Sequence, residues 1–293
     1  MAYQQFKGTG VALVTPFLKD GSVDHPALEK LTAHVIKGGV DFVVALGTTA
    51  ETPTLSAQEK ADVLATVLRA NDGHVPVVCG IGGNNTTETV QQLKDMDLRD
   101  VDAILSVAPY YNRPSQEGIY QHFKAIASNT NKPIILYNVP ARTGSNIMPA
   151  TAIRLAGEYN NIIAIKEASG NIAQCLELIH GKPDNFTVLS GDDNLALAQM
   201  AIGMEGIISV AANCFTKDMT DVINLAIVGK FDKARKVFYK MLPGIDMLFA
   251  EGNPTGVKCM LKHMGICEQY VRLPLVQASD ALSKKMAQYL NGN

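Results

Sequence analysis

The chain has 293 residues, 47% apolar and 18% charged, which is enough to bury a large core and too apolar for a disordered chain. Lys+Arg 26 against Asp+Glu 28 gives a net charge of −2, without the basic excess that nucleic-acid binding requires. No apolar run approaches the ~18 residues of a membrane helix, and the opening MAYQQFKGTG lacks the charged and apolar regions of a secretory signal, so a cytoplasmic protein is expected.

Short β-branched runs recur along the chain, each followed by a stretch of helical period. The first, at residues 10–15, precedes a Leu28/Leu31/Val35 stripe that Gly38-Gly39 stops. The second, at 42–46, precedes a capping box, Ser56-x-x-Glu59, and a face of Val63, Leu64, Val67 and Leu68. The third, at 75–81, precedes Asn85-x-x-Glu88, which repeats the device with Asn as the cap. Ser115 follows the fourth run (103–107), Pro149 the fifth (133–139), and Asn171-x-x-Gln174 the sixth (162–166). Runs at 186–190 and 206–210 complete eight. Their continuous hydrophobicity predicts strands buried on both faces, as in parallel sheets.

Successive runs start 20 to 33 residues apart, about one βα unit each, and eight such units close a (β/α)8 TIM barrel. From Asn213 the pattern turns helical, so the expected organisation is a catalytic barrel over residues 1–212 and a C-terminal helical extension over 213–293. An open doubly wound sheet is the alternative. Against it, Gly80-Ile81-Gly82-Gly83-Asn84-Asn85 lacks the third glycine of a dinucleotide turn, and Asp100 is an acid at a common offset. Five scattered cysteines read as reduced thiols, and six dispersed histidines suggest no metal site.

A barrel carries its chemistry at the C-terminal ends of its strands. Lys166 closes the apolar run that begins at Asn161, so its ammonium enters a partly dry mouth, where desolvation disfavours the charged form. A neutral amine can attack a ketone and form an imine that stabilises an adjacent carbanion. The competing reading is a strand-end lysine that snorkels to water. Tyr137, at the end of the neighbouring strand, can move the protons that imine chemistry requires, with Thr49 and Tyr111 as relay candidates. Thr49 also reads as turn chemistry and Tyr111 as a rim residue. Arg142 offers a fork to a carboxylate, with a loop-anchoring salt bridge as its alternative. Thr48 and Thr49 can hold a second carboxylate. Asp192-Asp193 lack the partners of a metal pair and read as a cap on the next helix.

Together, Gly47-Thr48-Thr49-Ala50-Glu51, Pro109-Tyr110-Tyr111-Asn112-Arg113-Pro114, Tyr137-Asn138-Val139-Pro140-Ala141-Arg142-Thr143-Gly144, Ile165-Lys166-Glu167-Ala168-Ser169-Gly170 and Ser190-Gly191-Asp192-Asp193 resemble the 4-hydroxy-tetrahydrodipicolinate synthase (dihydrodipicolinate synthase) family, class I members of the N-acetylneuraminate lyase superfamily. The resemblance runs to about Pro254. It implies condensation of pyruvate with L-aspartate 4-semialdehyde in diaminopimelate and lysine biosynthesis, with no cofactor beyond the covalent imine on Lys166. It makes Tyr137 the proton donor and acceptor, linked through Thr49 to a Tyr111 contributed across a dimer interface in a homotetramer of two dimers. Thr48 and Thr49 would bind the pyruvate carboxylate, Arg142 that of the semialdehyde, and Gly191 and Ile208 would line the site.

Two departures stand out. Ala50 replaces the family's glycine, which the turn tolerates if its φ is negative. Asn84, Glu88 and Tyr110 occupy the family's lysine-effector positions, but Ala57 and Lys60 replace histidines of strongly inhibited members. The Lys60 cation opposes a cationic effector, so weak or absent lysine inhibition is expected. Within the superfamily the alternative is an aldolase of N-acetylneuraminate or a keto-deoxy sugar acid, and outside it a keto-acid sensor. Arg142 in YNVPARTG favours the synthase branch, and a sensor needs no imine-forming amine.

Overall fold

The computed structural model describes residues 4–292. Eight parallel strands, β1 (Gly8–Ala12), β2 (Phe42–Ala45), β3 (Val77–Gly80), β4 (Ala103–Val107), β5 (Ile134–Asn138), β6 (Ile162–Glu167), β7 (Thr187–Ser190) and β8 (Gly206–Ser209), pair in chain order. Strand β8 returns to β1 and closes the barrel expected from the sequence. Each apolar run holds a strand. The first is displaced: β1 ends at Ala12, because its pairing begins at Gly8↔Gly206 and runs out with β2 at Ala12↔Val44. At this seam the backbones come close. A Cβ on Gly206 would lie 2.2 Å from the Gly8 carbonyl oxygen, so no side chain fits where the sheet closes.

Helices α1 (His25–Lys37), α2 (Ala57–Asn71), α3 (Thr86–Asp95), α4 (Gln116–Ala127), α5 (Pro140–Thr143), α6 (Pro149–Glu158), α7 (Ile172–Gly181) and α8 (Ala196–Ala201) lie between the strands. Helix α9 (Thr216–Ile227) packs on β1, β8 and α8, in the place of the eighth outer helix, so the helical stretch from residue 213 begins inside the eighth βα unit. Helices α10 (Phe231–Phe249), α11 (Thr255–His263) and α12 (Asp280–Gly292) follow. Among the described residues no helix is long and apolar enough to cross a membrane.

The capping box on α2 forms with both legs. Asn85 and Asn171 cap α3 and α7, but neither cap receives the return bond. Gln174 instead donates to Glu167 Oε2 at 3.1 Å, tying α7 to the end of β6. Two apolar layers result. An inner one, including Phe42, Val78, Leu105, Leu189 and Ile208, fills the barrel. A larger one lies between strands and helices.

Candidate active site

A single irregularity aims the lysine. Strands β5 and β6 pair Ile134↔Ile162 but then Ile135↔Ala164, so Ile163 is an extra residue, a bulge. Side chains alternate along a strand, and a one-residue slip exchanges its faces. Ile135 and Tyr137 face the barrel interior. The slip pairs Lys166, not Ile165, with Tyr137. Ile165 joins the outer layer, and Lys166 turns inward, 4% exposed, with Nζ 4.4 Å from the centre of the Tyr137 ring.

The next residue, Glu167, is completely buried on the opposite face. It accepts from Asn138 Nδ2 (2.9 Å) and Gln174 Nε2 (3.1 Å) on one oxygen and from the Ser169 N–H (2.8 Å) on the other. Burial pushes its carboxyl above the ordinary range, against the pull of these bonds. These contacts anchor the strand end that carries Lys166.

Gly191 lies against the Lys166 stem. A Cβ on Gly191 would sit 2.6 Å from Ala168 Cβ and 3.0 Å from Lys166 Cε, so the bare backbone at that position makes room for the lysine stem. Ile208 contributes to the inner apolar layer. The two aspartates do not cap the next helix, as the sequence had suggested. Asp193 is fully buried and reaches across to β8, accepting from the Ser209 hydroxyl and from the N–H groups of Val210 (3.0 Å) and Ala211 (3.1 Å). Asp192 accepts from Gly170 N–H (3.2 Å) and Gln199 Nε2 (3.3 Å). Burial raises both carboxyls; the hydrogen bonds they accept, and more weakly the Lys166 charge, pull them back.

Thr48 and Thr49 open a 3-10 turn, Thr48–Ala50, after β2. Ala50 has a negative φ, so the missing family glycine does not disturb the turn; the left-handed positions are Leu46 and Glu51. Thr49 is buried, and its Oγ1 accepts from Asn253 Nδ2 at 3.2 Å. A cavity of about 510 Å³ is walled by Thr48, Tyr137 and Arg142 together with Lys60, Asn84, Glu88 and Tyr110. Lys166, Gly191 and Ile208 are not part of its wall, though the Tyr137 ring that lines it lies 4.4 Å from the amine.

Among the described residues the Arg142 guanidinium has no ion-pair or hydrogen-bond partner; only its backbone N–H is bonded, to the Val139 carbonyl at 3.0 Å. The side chain that anchors the loop is Arg113, donating from Nε to the Gly144 carbonyl at 3.0 Å. Tyr111 is held at φ +72° and is 87% exposed, and no hydrogen bond joins it to Thr49 or Tyr137. The relay is therefore not closed within one chain. The structure brings together Lys166, Tyr137 and Gly191, keeps Ile208 in the inner apolar layer, places Thr48 and Arg142 on the cavity wall, buries Thr49 against Asn253, and leaves Tyr111 on the surface.

Sequence reasoning missed a second anchored layer. Glu51, at φ +55°, is buried against Lys258 of α11, with Nζ to Oε1 at 2.5 Å. It also accepts from the Arg272 N–H at 3.0 Å, while the Arg272 guanidinium grips Glu59 and the Thr54 carbonyl. An acid following two threonines at a strand end was the available signal; its partners, over two hundred residues away, gave none.

An inward lysine and a phenol in register at the mouth of an eight-stranded parallel barrel place this chain among the (β/α)8 proteins that carry their polar side chains at the strand ends. The comparisons agree with this class. Residues 5–292 match the model of the dihydrodipicolinate synthetase family. The chain is 51% identical to the 4-hydroxy-tetrahydrodipicolinate synthase of Flavobacterium psychrophilum, covering 97% of each chain, and 48% identical to that of Parabacteroides distasonis, covering 99% and 98%. Among solved structures it superimposes on the chloride-inhibited dihydrodipicolinate synthase of Acinetobacter baumannii complexed with pyruvate, with a TM-score of 0.94 at 41% identity, covering 97% and 98%. The chain belongs to the dihydrodipicolinate synthetase family. It is a lyase of the 4-hydroxy-tetrahydrodipicolinate synthase type, acting in diaminopimelate and lysine biosynthesis.

Proposed function

We propose that the reaction proceeds through an imine between Lys166 and pyruvate, with L-aspartate 4-semialdehyde as the second substrate and no other cofactor. The observation that carries this reading is the Lys166 amine, inward-facing and beside the Tyr137 ring, with no hydrogen bond or ion pair among the described residues. The Acinetobacter baumannii relative crystallised with pyruvate supports the first substrate.

The amine adds to the pyruvate C2 carbonyl, and Tyr137 protonates the carbinolamine hydroxyl, which leaves as water. Loss of a C3 proton gives the enamine, whose carbon attacks the semialdehyde. Thr48 and Thr49 hold the pyruvate carboxylate, and the unpartnered Arg142 that of the semialdehyde. Thr49 and a Tyr111 from a second copy return protons to Tyr137, within a homotetramer of two dimers. The exposed, outward-held Tyr111 supports such a contact. The enzyme works in the cytoplasm, where its five buried free thiols stay reduced.

Borohydride treatment with and without pyruvate tests the central step. A pyruvate-dependent mass shift on Lys166 is expected, and its absence overturns the reading. Lys60 shares the cavity with Asn84, Glu88 and Tyr110, and its cation disfavours a bound lysine there. Initial-rate assays should show weak or no lysine inhibition. Inhibition at micromolar lysine, lost in Glu88→Ala, would overturn this.

A further inference from the structure

Asn253 lies in the segment between α10 and α11, 8% exposed, and borders the same cavity as Thr48, Tyr137 and Arg142. Its Nδ2 donates to Thr49 Oγ1, and its Oδ1 is buried without a partner. Among the described residues the amide thus makes no side-chain bond other than the one to the threonine. Five residues on, Lys258 is locked to Glu51, two residues from Thr49. The C-terminal helices therefore hold the threonine turn at two points.

The direction of the Asn253 bond matters. A hydroxyl carries one proton and accepts on its lone pairs. Thr52 directs its proton to the Leu46 and Gly47 carbonyls, and Thr54 to the Glu51 carbonyl. Among the hydrogen-bonded threonine hydroxyls of this loop, Thr49 alone is held as an acceptor. Its proton cannot point at an N–H donor and has no acceptor among the described residues.

We propose that Asn253 is a positioning residue for the proton relay: by donating to Thr49 Oγ1 it leaves the threonine proton directed into the site. The inference rests on the imine reading above. When Tyr137 gives its proton to the departing hydroxyl, the phenolate takes one from Thr49, whose oxygen is refilled by the next hydroxyl in line. Each oxygen gives one proton and receives one. Asn253 gives none up and fixes the direction of transfer.

Asn253→Asp tests this against a structural role. A carboxylate only accepts, so the Thr49 hydroxyl turns towards it and is withdrawn from the relay. Asn253→Ala removes more contacts but leaves the hydroxyl free to rotate. The expected order of kcat is wild type, then Ala, about 3–10-fold lower, then Asp, about 10–100-fold lower, within the range of general acid–base contributions. KM for pyruvate should change little. A structural role predicts the opposite order, with isosteric Asp the milder change, and that order would overturn the proposal. Should the Asp variant fail to fold, a double-mutant cycle decides: Asn253→Ala should have no further effect on kcat in a Thr49→Val background, and an undiminished effect overturns the proposal. End-point borohydride trapping with pyruvate should still label Lys166 in every folded variant. Loss of trapping in the wild type would instead sink the imine reading itself.

Discussion

Lys166 and Lys258 are both buried lysines beside aromatic rings, and they are held in opposite ways. Lys258 is wholly enclosed, with Glu51 Oε1 at 2.5 Å, the Tyr270 carbonyl at 2.9 Å and the Phe17 ring centre at 4.0 Å. Burial draws its pKa down while Glu51 draws it back up. Lys166 has a ring at 4.4 Å and, among the described residues, no polar side-chain partner. Acids are near enough for Asp192 and Asp193 to feel its charge, yet their oxygens are taken by backbone N–H groups, Ser209 and Gln199. The difference lies in which donors occupy the acids. Where the carboxylate is given to the lysine, the amine is structural. Where it is given to other donors, the amine stays available for chemistry.

Exchanging the two lysines' fates should expose this division. Lys166→Ala is expected to abolish imine trapping and lower kcat by at least about 10³-fold, with an unchanged melting temperature. A large stability loss would show that Lys166 also supports the fold. Lys258→Met leaves Glu51 buried without its cation and should destabilise the protein by about 3–5 kcal/mol, measured by urea unfolding at fixed protein concentration, while the adduct still forms on Lys166. Adding Glu51→Gln should restore much of that loss. If it restores none, the pair's charges were not the reason for the loss.

A smaller perturbation addresses the room left for the reactive amine. Gly191→Ala places a methyl 3.0 Å from Lys166 Cε and 2.6 Å from Ala168 Cβ, closer than packed carbons approach. An overpacking cost of about 1–3 kcal/mol is expected, with a roughly tenfold slower rate of imine formation as the lysine stem shifts. Unchanged trapping kinetics would mean that the stem has another place to go.

The sequence made the barrel legible because its signals are local. Eight continuous apolar runs and the caps at Ser56, Asn85, Ser115 and Asn171 each report on a few neighbours. It also placed Lys166 and Tyr137 at adjacent strand ends. The bulge at Ile163 was not legible, because a run of Ile-Ile-Ala-Ile is apolar on both faces and does not show which residue is extra. The acid pair Asp192-Asp193 was misread as a cap because the N–H groups that Asp193 serves lie after the next strand. Asn253 and Lys258 were missed for the same physical reason: a buried polar side chain is explained by its partner, and theirs are about two hundred residues away.

His122 shows a third way to bury a base and gives the smallest expected effect. It is 4% exposed, with Nδ1 2.8 Å from the Thr86 hydroxyl and Nε2 unpartnered, and burial pushes its pKa down to about 4 from 6.5. Whereas Lys258 keeps a countercharge, His122 has none and stays neutral. The folded state therefore binds this proton less readily than the unfolded chain. Its contribution is fully present above pH 6.5 and is lost as pH falls towards 4, at most about 3 kcal/mol for such a shift. His122→Asn keeps a partner for Thr86 and removes the titration. The variant should be less stable at pH 7 through lost packing, but its stability should fall less steeply than the wild type's between pH 6.5 and 4. Parallel curves across that window would mean that His122 is protonated in the folded protein, and that its ring has a route to solvent or to a countercharge.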